Sequence, residues 1–217
     1  MEFQILHFAS VTSTQDIAKG ILKENVVIVA DEQRSSYGRK RREWHSPPGG
    51  LWMTIILRTE LWDVRTLAAS VAIVKALEAF EIEVGIKWPN DIFYKGKKLG
   101  GIIAEKKGEM IILGIGINLK NEIPEEIKDI AINLPDVERD ALLPVLLESI
   151  DWALSLSKEK ILDEWRKCSI TLGRKVCIDN GERICGIAID IDGYGGLVIR
   201  NDKEVKTVYT GDLRFVD

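Results

Sequence analysis

Residues 83–118 read EVGIKWPNDIFYKGKKLGGIIAEKKGEMIILGIGIN, a sequence in which four apolar or alternating runs are separated by short polar breaks. Runs of this length and pattern indicate strands, which we predict at Glu83–Trp88, Ile92–Tyr94, Gly101–Glu105 and Met110–Ile117. Between the second and third runs, Tyr94–Lys98 has a glycine at its centre and is typical of a tight hairpin turn. This part of the chain therefore predicts a sheet built in part from a hairpin.

Further runs that precede this stretch extend the predicted sheet. Strands are expected at Phe3–Phe8, Val26–Ala30 and Leu51–Leu57. A helix is predicted at Thr14–Leu22, with Ser13 or Thr14 as its N-cap, and an amphipathic helix is predicted at Thr66–Phe80. Strands and helices in this order indicate an α+β fold, a mixed sheet with helices on one side.

The pattern changes twice in the rest of the chain. Helices are predicted from Pro124, where two acidic residues follow the proline, and at Ala141–Leu156 and Lys158–Cys168. From Leu172 onward, strands are expected at Lys175–Ile178, Ile184–Asp190, Leu197–Arg200 and Glu204–Tyr209. Short strands separated by frequent turns predict a small β-barrel. We therefore divide the chain into a domain of residues 1–170 and a small domain of residues 171–217.

The overall composition restricts the classes of function. The chain has 217 residues, a formal net charge of −4 and 46% hydrophobic residues, which are values of an ordinary globular protein. Its acidic balance argues against broad binding of nucleic acid as the main function. No apolar run reaches the ~20 residues of a membrane span, and the N-terminus lacks the features of a signal peptide. We therefore expect a cytoplasmic protein that does not associate with membranes.

Cysteines and histidines are few. Cys168, Cys177 and Cys185 lack the spacing of metal ligands, and their odd number argues against a disulfide framework. Because the chain has only two histidines, we do not expect a His/Cys metal site, and the sequence assigns no metal ligands.

A basic loop, which we define as residues 34–44, reads RSSYGRKRREW and gathers five cations around one glycine. Cations this close repel one another, so we expect the free loop to be loose and to tighten when an anion binds. Glycine lets the backbone approach a ligand, and guanidinium groups bind phosphate oxygens in pairs. Considered alone, the same residues are also typical of a solvated surface loop.

Four further segments carry polar residues beside bare backbone or at the end of a strand. They are Thr12–Gln15, Lys87–Asp91, Lys98–Ile102 and Gly114–Asn118. Each has an ordinary structural explanation, since hydroxyls cap helices and proline or asparagine ends strands. Two glycines after a lysine, however, leave backbone that a ligand can approach closely. The occurrence of all four segments in one chain therefore indicates a ligand site more strongly than any one of them does.

The combination, in this order and spacing, resembles the catalytic domain of biotin protein ligases, the biotin–carboxyl-carrier-protein ligase family, in its monofunctional type without an N-terminal DNA-binding domain. The matching segments are the Ser13–Thr14 pair, Gln33, Gly38–Arg39, Trp44, Gly49–Leu51, Lys87–Asp91, Lys98–Gly101 and Gly114–Asn118. The tail from Gly186 to Asp212 resembles the family's SH3-like C-terminal domain. The basic loop departs from the family, because Ser36 and Tyr37 stand where Gly-Arg is usual and Arg41 stands where glycine is common.

The resemblance implies a class II synthetase-like catalytic domain that uses ATP and Mg²⁺ to convert biotin to biotinyl-5′-AMP. The biotin is then transferred to a lysine of a biotin carboxyl carrier protein, and the ligase is expected to be a homodimer. The implied catalytic residues are Arg39, Lys87, Asp91 and Lys98. Those implied for biotin are Ser13, Thr14, Gln15, Gln33, Tyr37, Gly38, Arg39, Lys98 and Gly101. Those implied for ATP are Arg39, Arg42, Trp44, Asn90, Lys98 and Asn118.

Three alternatives stay open at this point. One is a lipoate ligase-like acyl-protein ligase, and a second is a weakly active protein that only binds biotin or nucleotide. The third is a biotin-responsive DNA-binding repressor, which in this family needs a helix-turn-helix domain before the catalytic domain. Because the first predicted strand begins near Phe3, we do not expect DNA binding.

Overall fold

A seven-stranded mixed sheet forms the centre of the computed structural model, which describes residues 1–216 except for the side chain of Trp62. The sheet has the order β1-β2-β3-β7-β6-β5-β4. Its strands are β1 Gln4–Val11, β2 Val26–Gln33, β3 Leu51–Leu57, β4 Gly85–Lys87, β5 Asp91–Tyr94, β6 Lys97–Lys107 and β7 Met110–Ile117. β1 and β2 are parallel and the other neighbours are antiparallel. The predicted α+β class, the mixed sheet and the hairpin of β5 and β6 are confirmed.

Four helices cover both faces of this sheet. They are α1 Thr14–Ile21, α2 Arg65–Glu78, α3 Arg139–Ser155 and α4 Lys158–Cys168. Ala18 of α1 packs on one face with Val26, Ile28 and Ile56, whereas α2, α3 and α4 share the main core with the opposite face. The prediction of helices on one side only is wrong. Every residue of β3 is buried, as expected for a strand that is covered on both faces.

The predicted helix at Pro124 is also wrong. Only Glu125–Ile127 forms a short 3-10 turn there. The backbone then pairs with the start of β6, where the Lys98 amide donates to the Ile130 carbonyl at 2.8 Å and the Ile132 amide donates to the Lys98 carbonyl at 3.0 Å. This extended pairing prevents a helix and brings residues 121–131 over the end of the sheet.

The C-terminal strands form a five-stranded antiparallel sheet in the order β11-β10-β9-β8-β12. Its strands are β8 Lys175–Asp179, β9 Arg183–Ile191, β10 Leu197–Arg200, β11 Val205–Val208 and β12 Asp212–Phe215. The small all-β unit is confirmed, with β12 as a strand that the sequence pattern did not reveal. The division at residues 170 and 171 falls between α4 and β8 and stays a prediction.

One cysteine pair departs from the expectation of no disulfide. Cys177 and Cys185 are joined, while Cys168 is free. The two bonded residues lie directly opposite each other on β8 and β9, with their Cα atoms 4.1 Å apart. Cross-strand pairing brings cysteines together whatever their total number is, so the odd count gave the wrong answer here.

The C-terminal unit contacts the larger one beside the segment Lys87–Asp91. Trp88 is buried, its amide donates to the Thr171 hydroxyl at 2.9 Å, and its indole donates to the Gly195 carbonyl at 3.0 Å. Phe215, at the end of β12, lies beside Lys87 of β4, so this end of the C-terminal sheet is close to the edge of the large sheet. Among the described residues, no helix is long and apolar enough to cross a membrane.

Candidate active site

A cleft of about 880 Å³ opens between the sheet, the basic loop, residues 121–131 and the end of the C-terminal sheet. Every site residue that the sequence predicts lines this one cleft. These residues are Ser13, Thr14, Gln15, Gln33, Tyr37, Gly38, Arg39, Arg42, Trp44, Lys87, Asn90, Asp91, Lys98, Gly101 and Asn118. Residues from opposite ends of the chain thus share one concave space, as binding sites do.

The floor of the cleft, which we define as Thr14, Gln15, Gln33 and Thr54 together with Ser46, which is bonded to Gln33 but does not itself line the cleft, is a network of neutral polar groups that are buried except for the half-buried Gln33. The Thr14 amide and hydroxyl both donate to Gln33 Oε1, at 2.8 and 3.0 Å. Gln33 Nε2 donates to the Ser46 hydroxyl at 3.1 Å, and the Thr54 hydroxyl donates to Thr14 Oγ1 at 2.8 Å. Buried groups that are paired in this way hold fixed positions.

Gln15 joins the rest of the floor to strands β6 and β7. Its Nε2 donates to Glu105 Oε2 at 2.9 Å and to the Ile112 carbonyl at 3.0 Å, while its Oε1 accepts from Thr54 at 3.2 Å. A Cβ at Gly114 would lie 2.7 Å from Gln15 Oε1, so the bare backbone of β7 makes room for this amide.

Ser13 occupies the N-cap position of α1, as predicted, but its hydroxyl makes no capping hydrogen bond within residues 1–216. The side chain is nevertheless buried and faces the cleft. A helix cap therefore does not account for this hydroxyl, and its position favours contact with a ligand.

Lys98 and Asp91 form an ion pair in the cleft, with Lys98 Nζ 2.7 Å from Asp91 Oδ1. The register of β5 and β6 shifts between Ile92 and Phe93, and such a bulge re-aims the side chains beside it. Gly101 lies opposite Asp91, and a Cβ there would touch Lys98 Cε at 3.5 Å. The pair is about one quarter to one third exposed, so its charges remain accessible from the cleft.

Trp44 packs closely against the bare backbone of β7. A Cβ at Gly116 would be 2.8 Å from Trp44 Nε1, so only glycine fits there without displacing the ring. Lys98 Nζ lies 5.1 Å from the centre of the Trp44 ring, within cation–π range. Trp44 Nε1 is buried and has no hydrogen-bond partner among the described residues.

The basic loop is closed on itself and tied to the C-terminal sheet. The Gly38 amide donates to the Arg42 carbonyl at 2.8 Å, and Lys40 and Arg41 have positive φ angles of 57° and 58°. Arg39 donates to Asn90 Oδ1 at 3.1 Å and to the Thr210 hydroxyl at 2.9 Å. Three of the five cations that we expected to await an anion, Arg39, Lys40 and Arg42, therefore already have oxygen partners within the chain.

Asp212 is the carboxylate that meets the tip of the loop. It forms ion pairs with Arg42 and with Lys40, the latter at 3.0 Å. The hydrogen bond from Arg42 is the main reason why the pKa of Asp212 is lowered to about 2. Burial lowers the pKa of Arg39, whose guanidinium faces the cleft.

The remaining predicted residues lie in the cleft with their polar groups engaged. Lys87 Nζ lies 5.1 Å from the ring centres of both Phe93 and Phe215, and burial lowers the pKa of Lys87. Asn118 Nδ2 donates to the Ile132 carbonyl at 3.2 Å, and its Oδ1 accepts from Asn121. These contacts indicate that Lys87 and Asn118 help to hold the walls of the cleft in place.

Sequence reasoning missed two parts of the cleft. The first is the segment of residues 121–131, whose aliphatic side chains form one wall and whose proline was taken as the start of a helix. The second is the end of the C-terminal sheet, where Gly211, Asp212 and Arg214 reach the cleft. A glycine next to an aspartate, as at Gly211 and Asp212, could have indicated a ligand site. Nothing local in the sequence, however, relates these residues to a loop 170 residues away.

Comparisons with known proteins agree with this geometry. The sequence profile of the Biotin/lipoate A/B protein ligase family matches residues 7–120. The bifunctional ligase/repressor BirA of Bacillus subtilis (strain 168) is 32% identical over 96% of this chain and 73% of its own length. The biotin--[acetyl-CoA-carboxylase] ligase of Mycobacterium tuberculosis is 28% identical over 90% of this chain and 81% of its own length.

Solved structures give the same result. The biotin protein ligase from Aquifex aeolicus, in complex with biotin and ATP, matches with a TM-score of 0.91 and 30% identity, covering 98% of this chain and 99% of that chain. The apo structure of the Aquifex aeolicus ligase matches with a TM-score of 0.87 and 26% identity, covering 99% of this chain and 100% of that chain. With its matching profile, its relatives and its fold, the chain belongs to the Biotin/lipoate A/B protein ligase family.

Proposed function

We propose that this chain is a biotin protein ligase, which activates biotin with ATP and transfers it to a lysine of a biotin carboxyl carrier protein. The observation that carries the proposal is the position of the Lys98–Asp91 ion pair in the same cleft as the neutral floor and the cationic loop. A carboxylate bound above the floor and a phosphate bound by the loop would meet at Lys98.

The floor suits the ureido ring of biotin. That ring presents N–H donors and a carbonyl acceptor, and it needs a fixed set of complementary groups. Ser13, Thr14 and Gln33 offer hydroxyl and amide groups at the end of the cleft that is built on α1 and β2. Lipoate has a dithiolane ring without such donors and acceptors, so it would leave the buried Ser13 hydroxyl, which makes no capping hydrogen bond, without a ligand partner, and sites of this kind discriminate strongly against such a ligand. This contrast favours biotin over lipoate.

The basic loop suits the triphosphate of ATP. Arg39 and Arg42 provide guanidinium groups for phosphate oxygens, and Trp44 offers a flat face for adenine. In the first step an oxygen of the biotin carboxylate attacks the α-phosphorus. The bond to the bridging oxygen then breaks, and pyrophosphate leaves with that electron pair. Lys98 stabilises the negative charge that gathers on the α-phosphate, which is the role that a fixed cation performs best.

The second step transfers the acyl group. The ε-amine of the carrier lysine attacks the carbonyl carbon of biotinyl-5′-AMP, loses a proton and expels AMP. Asp91, held by Lys98 at 2.7 Å, is the carboxylate in position to orient this amine. Lys87, packed between Phe93 and Phe215, adds positive charge to the same end of the cleft.

Mg²⁺ is the cation that normally accompanies ATP in such transfers. Among the described residues, no group of three or more His, Cys, Asp or Glu side chains is arranged to hold a metal. Asp91 is already paired with Lys98. These residues fit a Mg²⁺ ion that would arrive on the phosphates and lower their charge.

We further propose a homodimer through the edge of the large sheet. β1 and β4 are its two edge strands. The edge beside β4 is occupied, because the Ile170 amide donates to the Ile86 carbonyl at 3.0 Å. β1 carries the exposed Ile5, and an edge strand with apolar residues pairs readily with a second copy. A cytoplasmic location follows from the proposed substrates, ATP and a carboxylase carrier.

The activity can be tested by pyrophosphate release with Mg-ATP and either biotin or lipoate. We expect release with biotin and little or none with lipoate. Equal release with both acids would contradict the selectivity argument. Absence of release with biotin, from protein whose folding has been checked by circular dichroism, would contradict the ligase assignment.

A further inference from the structure

Lys19, on the surface of α1, has no role in the function argued so far. We propose that Lys19 is a positioning residue that supplies the positive charge at the entrance of the basic loop and, through Glu105, fixes the Gln15 amide in the floor. This inference rests on the proposed ligase function. It assigns to one lysine a connection between the loop and the biotin end of the cleft.

The ammonium of Lys19 lies among three oxygen-bearing side chains. Lys19 Nζ is 2.7 Å from the Tyr37 hydroxyl, 2.9 Å from Glu105 Oε2 and 3.4 Å from Asp16 Oδ1. The Tyr37 hydroxyl itself donates to Asp16 at 2.9 Å. Tyr37 belongs to the basic loop, so these contacts attach the loop to α1 and β6.

Glu105 extends the contact from the loop to the floor. It binds Lys19 through its carboxylate and accepts from Gln15 Nε2 at 2.9 Å. The other end of the Gln15 amide accepts from Thr54, whose hydroxyl also binds Thr14. Lys19 is therefore connected to the biotin end by a continuous series of hydrogen bonds.

Lys19 supplies the direct ion pair that balances this cluster, with Arg41 as a second cation above the Tyr37 ring. Without an ammonium there, the half-buried Glu105 would face Asp16 across the Tyr37 hydroxyl, and the carboxylates would separate or recruit water. Although burial opposes it, hydrogen bonds with Tyr37 and Glu105 raise the pKa of Lys19 to about 12. The lysine is therefore charged at every pH at which the protein would work.

At position 37 this loop has a tyrosine where an arginine is usual in the family, so it lacks that cation. Tyr37 cannot carry a positive charge, but the ammonium 2.7 Å from its hydroxyl places one at the same point of the loop. Arg41 lies over the Tyr37 ring at 4.2 Å, so the ring is held from its face as well as from its hydroxyl. Lys19 and Tyr37 together attach the basic loop to α1 and place a positive charge there, which an arginine at position 37 would otherwise do.

The test compares Lys19→Met with Lys19→Arg, and uses Lys23→Met as a matched control. Lys23 follows α1 and binds Gln4 Oε1 outside the cleft. For Lys19→Met we expect release of biotinyl-5′-AMP to become about tenfold faster, because the variant loses one charge-assisted hydrogen bond. The KM for biotin should rise by a similar factor, while the KM for ATP changes less than about twofold. Lys19→Arg should retain most of the wild-type behaviour.

A second measurement separates positioning from general destabilisation. Tyr37→Arg is made in the wild type and in Lys19→Met. We expect it to slow the release of biotinyl-5′-AMP in the Lys19→Met background, where the cation is missing, and to give no gain in the wild type. Equal gains in both backgrounds, or a Lys19→Met variant that matches Lys23→Met, would overturn the inference alone. A wild type that forms no biotinyl-5′-AMP would overturn the proposed function together with it.

Discussion

The floor of the cleft and the basic loop are built in opposite ways. The floor is neutral, is mostly buried, lies largely on helix α1 and strands β2 and β3, and is held by hydrogen bonds such as those between Thr14 and Gln33. The loop is charged, is largely exposed and is held by ion pairs such as that of Lys40 with Asp212. A broken hydrogen bond in the floor leaves a buried polar group unpaired, which costs ~1–3 kcal/mol, whereas exposed ion pairs contribute only ~0–1 kcal/mol.

This difference assigns the two regions different tasks. The floor is organised before the ligand arrives, so it is suited to selecting one acid from similar ones. The loop exchanges partners at little energetic cost, so phosphates can replace Asp212 on Arg42 and Lys40. Lys98 lies between the two regions, and it should therefore be the most sensitive position in the cleft.

The largest effect is expected for Lys98→Ala. Removing a cation from the point where carboxylate and phosphate meet should slow formation of biotinyl-5′-AMP by ~10²–10³-fold, because a fixed charge stabilises the transition state. The rate is measured as pyrophosphate release at saturating biotin and ATP. Lys97→Ala is the matched control, since Lys97 binds the Lys128 carbonyl at the surface. Near-normal turnover in Lys98→Ala would remove this residue from the mechanism.

An intermediate effect is expected for Thr54→Val in the floor. The valine lacks the hydroxyl that donates to Thr14 Oγ1, so Thr14 and Gln15 lose a common anchor. Biotin affinity should fall about tenfold and the free energy of unfolding by about 1–3 kcal/mol. Isothermal titration and thermal melting measure the two quantities.

The control for Thr54→Val makes the same chemical change on an exposed strand. Thr207→Val, on β11, should leave both biotin affinity and melting temperature close to the wild-type values. If Thr54→Val binds biotin as tightly as this control does, the floor is not organised as we describe.

The smallest effect is expected for Asp212→Asn. Removing the carboxylate frees Arg42 and Lys40 for phosphate, so the KM for ATP should fall by at most about fivefold at low ionic strength. The gain should shrink as salt is added, because exposed charges are screened. A higher KM for ATP would show that Asp212 assists nucleotide binding instead of competing with it.

The same variant has a defined pH dependence. Because the pKa of Asp212 is lowered to about 2, its ion pairs are fully present above the ordinary carboxyl range and are lost only as pH falls through about 2. The ratio of KM values between wild type and Asp212→Asn should therefore be constant from about pH 6 to pH 9. Asp202→Asn, in the exposed turn between β10 and β11, is the control and should not change the KM for ATP at all.

Sequence reasoning recovered most of the sheet from local patterns, whereas the set of cleft residues came from the resemblance to a known family. The apolar runs of β3 and β7 were located to the residue, and glycines beside polar groups marked Gly101 and Gly116. The contact of Asp212 with Arg42 was not predictable, since it joins residues 170 positions apart through the packing of two sheets. The place of α1 on the second face was readable in principle from β3, which is apolar except for Thr54.

Lys19 illustrates a further limit of sequence reasoning. Within α1 it resembles any solvated helix lysine, and only the fold brings it to Tyr37 and Glu105. The pairing of residues 130–132 with β6 was equally hidden, because proline and two acidic residues there are typical of a helix start. Local pattern and family resemblance thus predicted which residues line the cleft, but not the contacts that those residues make.

The most direct test of the account is the mass of a biotin carboxyl carrier domain after incubation with the protein, Mg-ATP and equal concentrations of biotin and lipoate. The floor should select biotin and the loop should activate it, so the carrier is expected to gain one biotinyl group on a single lysine and no lipoyl group. A carrier that gains lipoyl groups to the same extent, or that remains unmodified while the protein is folded, would contradict the account.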